Sequence, residues 1–293
     1  MRVDSASNSP SVPAIFMHIQ KTAGTALIAP IRAYYGYDNS SSHADHFYDL
    51  DELTLVNKFF QNKEMVARYK NMGFISGHFG FDFYRRFMEG RYSFTFLRDP
   101  IERILSYYYF CKGREADEYF EYGLAQRLSL DDFLLQGFEN PAMRIRIWNN
   151  QTWALAYGNW AHTPRPQTSF SPEELLDLAL EHLDNFSHIG LLESFQTDRN
   201  IILSALGIPL PADNAHINAT PGRPGVADLP PATLKLLADL TKLDQRLYDI
   251  VLRKRAYSIK NTDYAKVHAQ NIVLQNAAFP GSLPRQAKQP DHS

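Results

Sequence analysis

The chain has 293 residues, 44% apolar and 21% charged, enough for one large domain or two small ones with a core of ordinary size. A formal net charge of −2 provides no global field for nucleic acid or an anionic membrane, so any basic site must be local. One cysteine, Cys111, excludes an intrachain disulfide, and no run approaches the roughly 18 consecutive apolar residues of a membrane span.

Residues 1–13 are polar and read as a disordered lead. Ala14 to Ile19 is almost wholly apolar and predicts a strand buried on both faces. A turn of small residues follows, Gln20 to Thr25, and then a helix from about Ala26. A strand feeding a tight turn and a helix aims backbone N–H groups and the positive end of the helix dipole at one spot, which suits an anion. Lys21 adds a full charge there, and Thr22 and Thr25 add hydroxyl donors. The order is not that of a Walker A loop, because Lys21 precedes Gly24. Pro30 predicts a kink between Ala26 and Pro30, or a short helix that restarts. Asn39 to Asp45 reads as a polar linker, and Leu50 to Phe60 has helical spacing.

Phe74 to Ser76 predicts a short buried strand ended by Gly77, from which His78 projects. A histidine at a strand end suits a general base, since its ordinary pKa lies near neutral pH. A structural histidine bonded to a backbone carbonyl is the competing reading. Tyr92 to Leu97 alternates as a strand and runs into Arg98 and a well-marked helix start: Asp99 as N-cap, Pro100 at the first position, Glu102 completing a capping box. Arg98 sits just outside that helix and Ser106 two turns along it, so the two can grip a second anion. The competing reading pairs Arg98 with Asp99 or Glu102.

Downstream, Lys112 to Glu121 reads as charged and exposed, and Leu130 to Leu135 as a helix capped by Ser129. Arg144, Arg146, Trp148 and Trp153 suggest a sugar-binding wall, against a helical core stripe for the tryptophans. Glu173 to Leu183 reads as a helix, His188 to Glu193 as a strand and Phe195 to Leu206 as the next helix. His216 to Gly225 is a loop by its prolines and glycines, and Ala232 to Ala256 one long amphipathic helix. Asn261 to Ala278 adds a helix, and the chain after Pro280 reads as disordered. Alternating strands and helices predict one α/β domain, P-loop-like, with a mostly parallel central sheet flanked by helices.

Phe16-Met-His-Ile-Gln-Lys-Thr-Ala-Gly-Thr25 closely resembles the F-x-H-I-P-K-T-A-G-T segment of sulfotransferases related to the heparan sulfate 2-O-sulfotransferases, with Gln20 in place of the usual proline. Leu97 to Tyr108 resembles that family's L-R-D-P-x-E-R-x-x-S-x-Y motif. Asn149 to Gly158, His188 to Glu193 and the loop holding Asn218 and Thr220 resemble its N-x-Q-T, V-G-x-x-E and N-x-T segments. The resemblance spans Ala14 to Tyr257 and implies a domain 14–257, with 258–293 as a partly disordered extension.

It also implies PAPS (3′-phosphoadenosine 5′-phosphosulfate) as co-substrate, PAP as product and no metal. Lys21, Thr22, Ala23, Gly24, Thr25 and Ala26 would hold the 5′-phosphosulfate, and Arg98 and Ser106 the 3′-phosphate. Asn218, Thr220 and Arg223 would touch the adenosine or 3′-phosphate. His78 would be the general base, with Lys21 beside the leaving oxygen. Gln151 and Thr152 would lie near the acceptor, a hydroxyl-bearing carbohydrate or glycolipid. Lacking the membrane anchor of animal relatives, the chain reads as a soluble, bacterial, cytoplasmic member. A P-loop nucleotide kinase or NTPase, and a non-catalytic nucleotide- or glycan-binding module, are the alternatives.

Overall fold

The computed structural model describes residues 12–22, 24–41, 59–158, 169–211 and 223–257. By internal contacts the chain divides into two units, Met1–Tyr248 and Asp249–Ser293. In the second unit the described residues, 249–257, are helical.

The first unit is built on five parallel strands: β1 (Ala14–Met17), β2 (Ser40–Ser41), β3 (Phe74–Gly77), β4 (Tyr92–Leu97) and β5 (His188–Leu191). Their spatial order is β2-β3-β1-β4-β5. Met17 lies beside Gly77 on one side and Thr95 on the other, so β3, β1 and β4 end almost level. The helices are α1 (Gly24–Tyr35), α2 (Lys63–Asn71), α3 (Phe81–Tyr84), α4 (Pro100–Lys112), α5 (Phe120–Arg127) and α6 (Leu130–Glu139). They continue with α7 (Pro141–Ile147), α8 (Asn150–Ala156), α9 (Pro172–Leu183), α10 (Phe195–Ala205) and α11 (Pro231–Leu240).

All four β1 residues are buried, as expected of a strand covered on both faces. Alternation sends Ala14 and Phe16 to the same side as Phe74, Phe94 and Phe96, where Leu27, Ile31 and Tyr35 of α1 and Phe195, Ile202 and Leu203 of α10 cover them. A second core joins Ile104, Leu105, Tyr108 and Cys111 of α4 to Phe133 of α6, Ile147 of α7 and Leu237 and Leu240 of α11. The connection from β1 departs toward β2 and that from β4 toward β5. The crevice between their carboxyl ends is therefore the switch point where open α/β sheets take ligands.

The structure corrects several local expectations. Pro30 does not divide α1 into a short helix that restarts: one helix runs from Gly24 to Tyr35. The bond Pro30 forfeits is to Ala26, on a half-exposed side where water can serve, while Leu27, Ile31 and Tyr35 pin the other side to the sheet. Ser40 and Ser41, read as linker, form the edge strand β2 and are buried. Glu121, read as exposed, is buried in an ion pair with Arg146 at 3.2 Å. The long terminal helix is interrupted at Thr241, and helix resumes at 242. Asn149 causes this from a distance: its N–H donates to Leu240 O at 2.8 Å. Its side-chain oxygen accepts from the Leu243 and Asp244 N–H groups, at 2.7 and 3.1 Å. Asn149 thus seals the end of one helix and caps the start of the next, from a left-handed backbone (φ +43°). Most of Leu50 to Phe60, and the helix expected at Asn261 to Ala278, lie outside the described residues.

Candidate active site at the carboxyl edge of the sheet

Three adjacent strands deliver three chemically distinct groups to one edge: Lys21 after β1, His78 after β3 and Arg98 after β4. Lys21 itself adopts a left-handed backbone, φ +68°, at the tightest point of the turn. A lysine there is strained, and the loop shape rests on its neighbours. The Thr22 hydroxyl donates to Ile19 O at 2.8 Å and its side chain is wholly buried. This corrects its expected part as a hydroxyl donor to an anion: it braces the loop. Ala23 lies outside the described residues. Gly24 is buried as the first residue of α1, Thr25 is exposed and Ala26 is half-buried.

The Lys21 ammonium lies 3.9 Å from the centre of the Phe110 ring. Burial brings its pKa down from 10.5 to about 8; Cys111 opposes the shift, while Arg98, Arg114 and Arg103 add to it. Excess positive charge therefore surrounds Lys21.

Arg98 is held at four points. Its backbone N–H donates to the Gln151 side-chain oxygen, and its carbonyl accepts from the Gln151 amide, both at 2.9 Å. Its Nη1 donates to the Lys21 carbonyl at 3.2 Å, and its Nη2 to Glu102 at 3.3 Å. Glu102 also pairs with Arg223, whose Nη1 donates to the Glu102 carbonyl at 3.2 Å. Burial first, then the nearness of Arg223, pushes the Arg98 guanidinium below its ordinary range. One carboxylate thus gathers two guanidinium groups beside the Lys21 loop. Ser106 lies buried on α4, and Asn218 and Thr220 lie outside the described residues.

The helix start behaves differently from a full capping box. Asp99 accepts from the Glu102 N–H at 2.9 Å, as expected. The return bond is not made, because the Glu102 carboxylate is turned to Arg98 and Arg223. The Asp99 N–H donates instead to Glu193 at 2.8 Å, from the end of β5. The pairing of Arg98 with Glu102, weighed as the competing reading, is therefore present, and Arg223 shares it.

His78 Nδ1 lies 2.7 Å from the His18 carbonyl. A carbonyl only accepts, so Nδ1 carries the proton and Nε2 is the basic nitrogen of the neutral ring. The carbonyl bond weighed as a structural role is made. The His18 ring packs on His78 with centroids 4.3 Å apart.

Gln151 and Thr152, expected near the acceptor, are 1% and 0% exposed. Gln151 clamps Arg98, and Thr152 is bonded through its N–H and hydroxyl to Asp244, at 2.7 and 2.8 Å. The sugar wall does not form either. Trp153 is buried in the core, Arg146 is paired with Glu121, and Arg144 stacks on Trp148 at 4.1 Å. Glu102, Glu193 and His18 escaped the sequence reading as site groups. Glu102 and His18 stand inside the two motifs and Glu193 closes the V-G-x-x-E segment, which was the available signal.

Among the described residues no group of three or more His, Cys, Asp or Glu is placed to hold a metal ion, and no helix is long and apolar enough to cross a membrane. No curated protein matches the chain. The family model of sulfotransferases matches residues 9–249, a span that holds all five strands and the basic edge just described, and the chain belongs to the sulfotransferase family, enzymes that transfer a sulfuryl group.

Proposed function

We propose that the chain transfers the sulfuryl group of PAPS to a hydroxyl of a carbohydrate or glycoconjugate acceptor, with His78 as general base. The observation that carries this reading is the union of Lys21, Arg98 and Arg223 at one sheet edge, with a histidine of defined tautomer one strand away. Two anion grips suit a nucleotide with separated phosphates. Lys21 and the backbone N–H groups from Thr22 to Ala26, with the Thr25 hydroxyl, form one. Arg98, Arg223 and Ser106 form the other, and the motif resemblance adds Asn218 and Thr220 to it.

PAPS, when bound, supplies the sulfuryl group and departs as PAP. His78 takes the acceptor's hydroxyl proton at Nε2. Lys21 sets a positive charge beside the oxygen on which negative charge develops. Gln151 and Glu102 hold Arg98 in one orientation, the kind of positioning that catalysis draws on. The carbohydrate acceptor and the relation to heparan sulfate 2-O-sulfotransferases belong to the same reading and rest on the sequence motifs.

The test combines binding and turnover. PAP should raise the melting temperature of the protein more than ATP with magnesium. His78→Ala should keep PAP affinity and lower labelled-sulfate transfer from PAPS by roughly 10²–10⁴-fold. Undiminished transfer in His78→Ala would remove His78 from the mechanism, and stronger protection by ATP would favour a kinase or NTPase.

A further inference from the structure

The His18 ring touches both halves of the site. It lies against the His78 ring, centroids 4.3 Å apart, and stacks on Phe16 at 5.2 Å and 21°. It also meets Gly24, the first residue of α1. A Cβ built on Gly24 would fall 2.0 Å from His18 Nε2 and 2.2 Å from its Cε1. Real side chains never approach so closely, so the imidazole fills the space that any other residue at position 24 would need. The backbone makes the same connection, since His18 N donates to Gly77 O at 3.1 Å and its carbonyl receives the His78 Nδ1 proton.

We propose that His18 is a positioning residue: its ring is the spacer that sets His78 at a fixed distance from the anion loop and the start of α1. The role lies in the shape of the ring. A flat group stacked on Phe16 keeps the His78 ring from turning, and Gly24 lets that group sit against the helix. This inference rests on His78 being the base.

Three variants and one spectroscopic measurement test it. His18→Ala should lower kcat by about 10–100-fold with KM for PAPS changed less than about 3-fold. His18→Phe keeps a flat ring on Phe16 and should restore kcat to within about 5-fold of the natural chain. Gly24→Ala drives a methyl into the ring and should lower kcat on its own. Combined with His18→Ala its further effect should shrink, because the methyl enters the vacated space. In the ligand-free protein, nitrogen-15 spectra should show the Nδ1–H tautomer of His78 in the natural chain and in His18→Ala alike, since the main-chain carbonyl of residue 18 stays, while the His78 ring lines should broaden in His18→Ala as the ring gains freedom to turn. Equal loss in His18→Phe and His18→Ala, with both folded, would overturn the proposal, as would strictly multiplicative effects of the two substitutions. His78 ring lines as sharp in His18→Ala as in the natural chain would do the same. If His78→Ala keeps full turnover, the base assignment fails while the His78 ring line widths still read the positioning.

Discussion

Arg98 Nη1 donates to the backbone carbonyl of Lys21 at 3.2 Å, so the guanidinium that follows β4 is fastened to the loop that follows β1. The bond uses one edge of the guanidinium, and Glu102 holds another nitrogen at 3.3 Å. Two fixed points on a planar group define its orientation, which a single charge on a flexible stem would not do.

Replacing Arg98 by Ala should therefore weaken PAP binding by about 10²-fold, on the scale of one or two charge-assisted bonds. Arg98→Lys should recover little of it, because an ammonium cannot reach the Lys21 carbonyl, Glu102 and a phosphate in one plane. Isothermal titration with PAP measures both, and wild-type affinity in Arg98→Lys would show that charge alone suffices.

Lys21 predicts a proton uptake. Free Lys21 is held at about 8, chiefly by burial. A bound anion favours the ammonium form and raises the pKa in the complex. Between the free and bound values the complex carries more protons than the free protein, so PAP binding takes up protons and weakens as pH rises above about 8. Titrations near pH 9 in buffers of different ionisation enthalpy should show this uptake, and Lys21→Met should abolish it. Folding has its own sign. The folded pKa lies below the ordinary 10.5, so between about 8 and 10.5 the unfolded chain binds more protons and this residue's contribution to stability rises with pH.

Cys111 offers a probe of the core beneath Lys21. It is wholly buried among Tyr107, Tyr108 and Tyr122, and burial above all pushes its thiol up to about 12. Thiolate is the reactive form, so the native protein should react with a disulfide reagent at least about 10³-fold more slowly than the denatured chain. As the chain's one cysteine, it reports unfolding without interference. Rapid native labelling would place the thiol outside this packing.

How much of this could be read from residues alone follows from where each signal resides. β1, β3 and β4 were legible because buried parallel strands are short apolar runs, and Asp99-Pro100 marks a helix start by local chemistry. β2 was not, since two serines at a sheet edge owe their strand geometry to β3. The interruption at Thr241 was not legible either, because Asn149, some ninety positions earlier, supplies the cap. Lys21, His78 and Arg98 each directly follow a strand, and that placement was legible from the apolar runs before them. Thr22, Gln151 and Thr152 have the right residue types for ligand contact, but their hydroxyl and amide groups are turned inward to hold the frame. Only tertiary structure separates a group that binds from one that braces.

That frame has its deepest support in Asp244. It is 1% exposed and accepts from Gln151 N, Thr152 N and the Thr152 hydroxyl, at 3.2, 2.7 and 2.8 Å. Gln151 in turn grips Arg98, so Asp244 is two links from Arg98. Burial pushes the Asp244 carboxyl above its usual range, and Arg103, then the Thr152 bonds, resist that. Arg103 is itself wholly buried, with Nε and Nη1 unpartnered, and burial lowers it to about 10. Asp244→Asn removes the opposite charge and turns an amide toward N–H donors, which should destabilise the fold by about 3 kcal/mol and lower Tm by roughly 6–12 °C. PAP affinity should fall by a smaller factor, as Gln151 loosens. Lys235→Ala, which breaks an exposed ion pair with Asp239, should change stability by less than about 1 kcal/mol. Thermal unfolding separates the two, and an Asp244→Asn protein as stable as Lys235→Ala would mean that the buried carboxylate does not hold α8 and Arg98 in place.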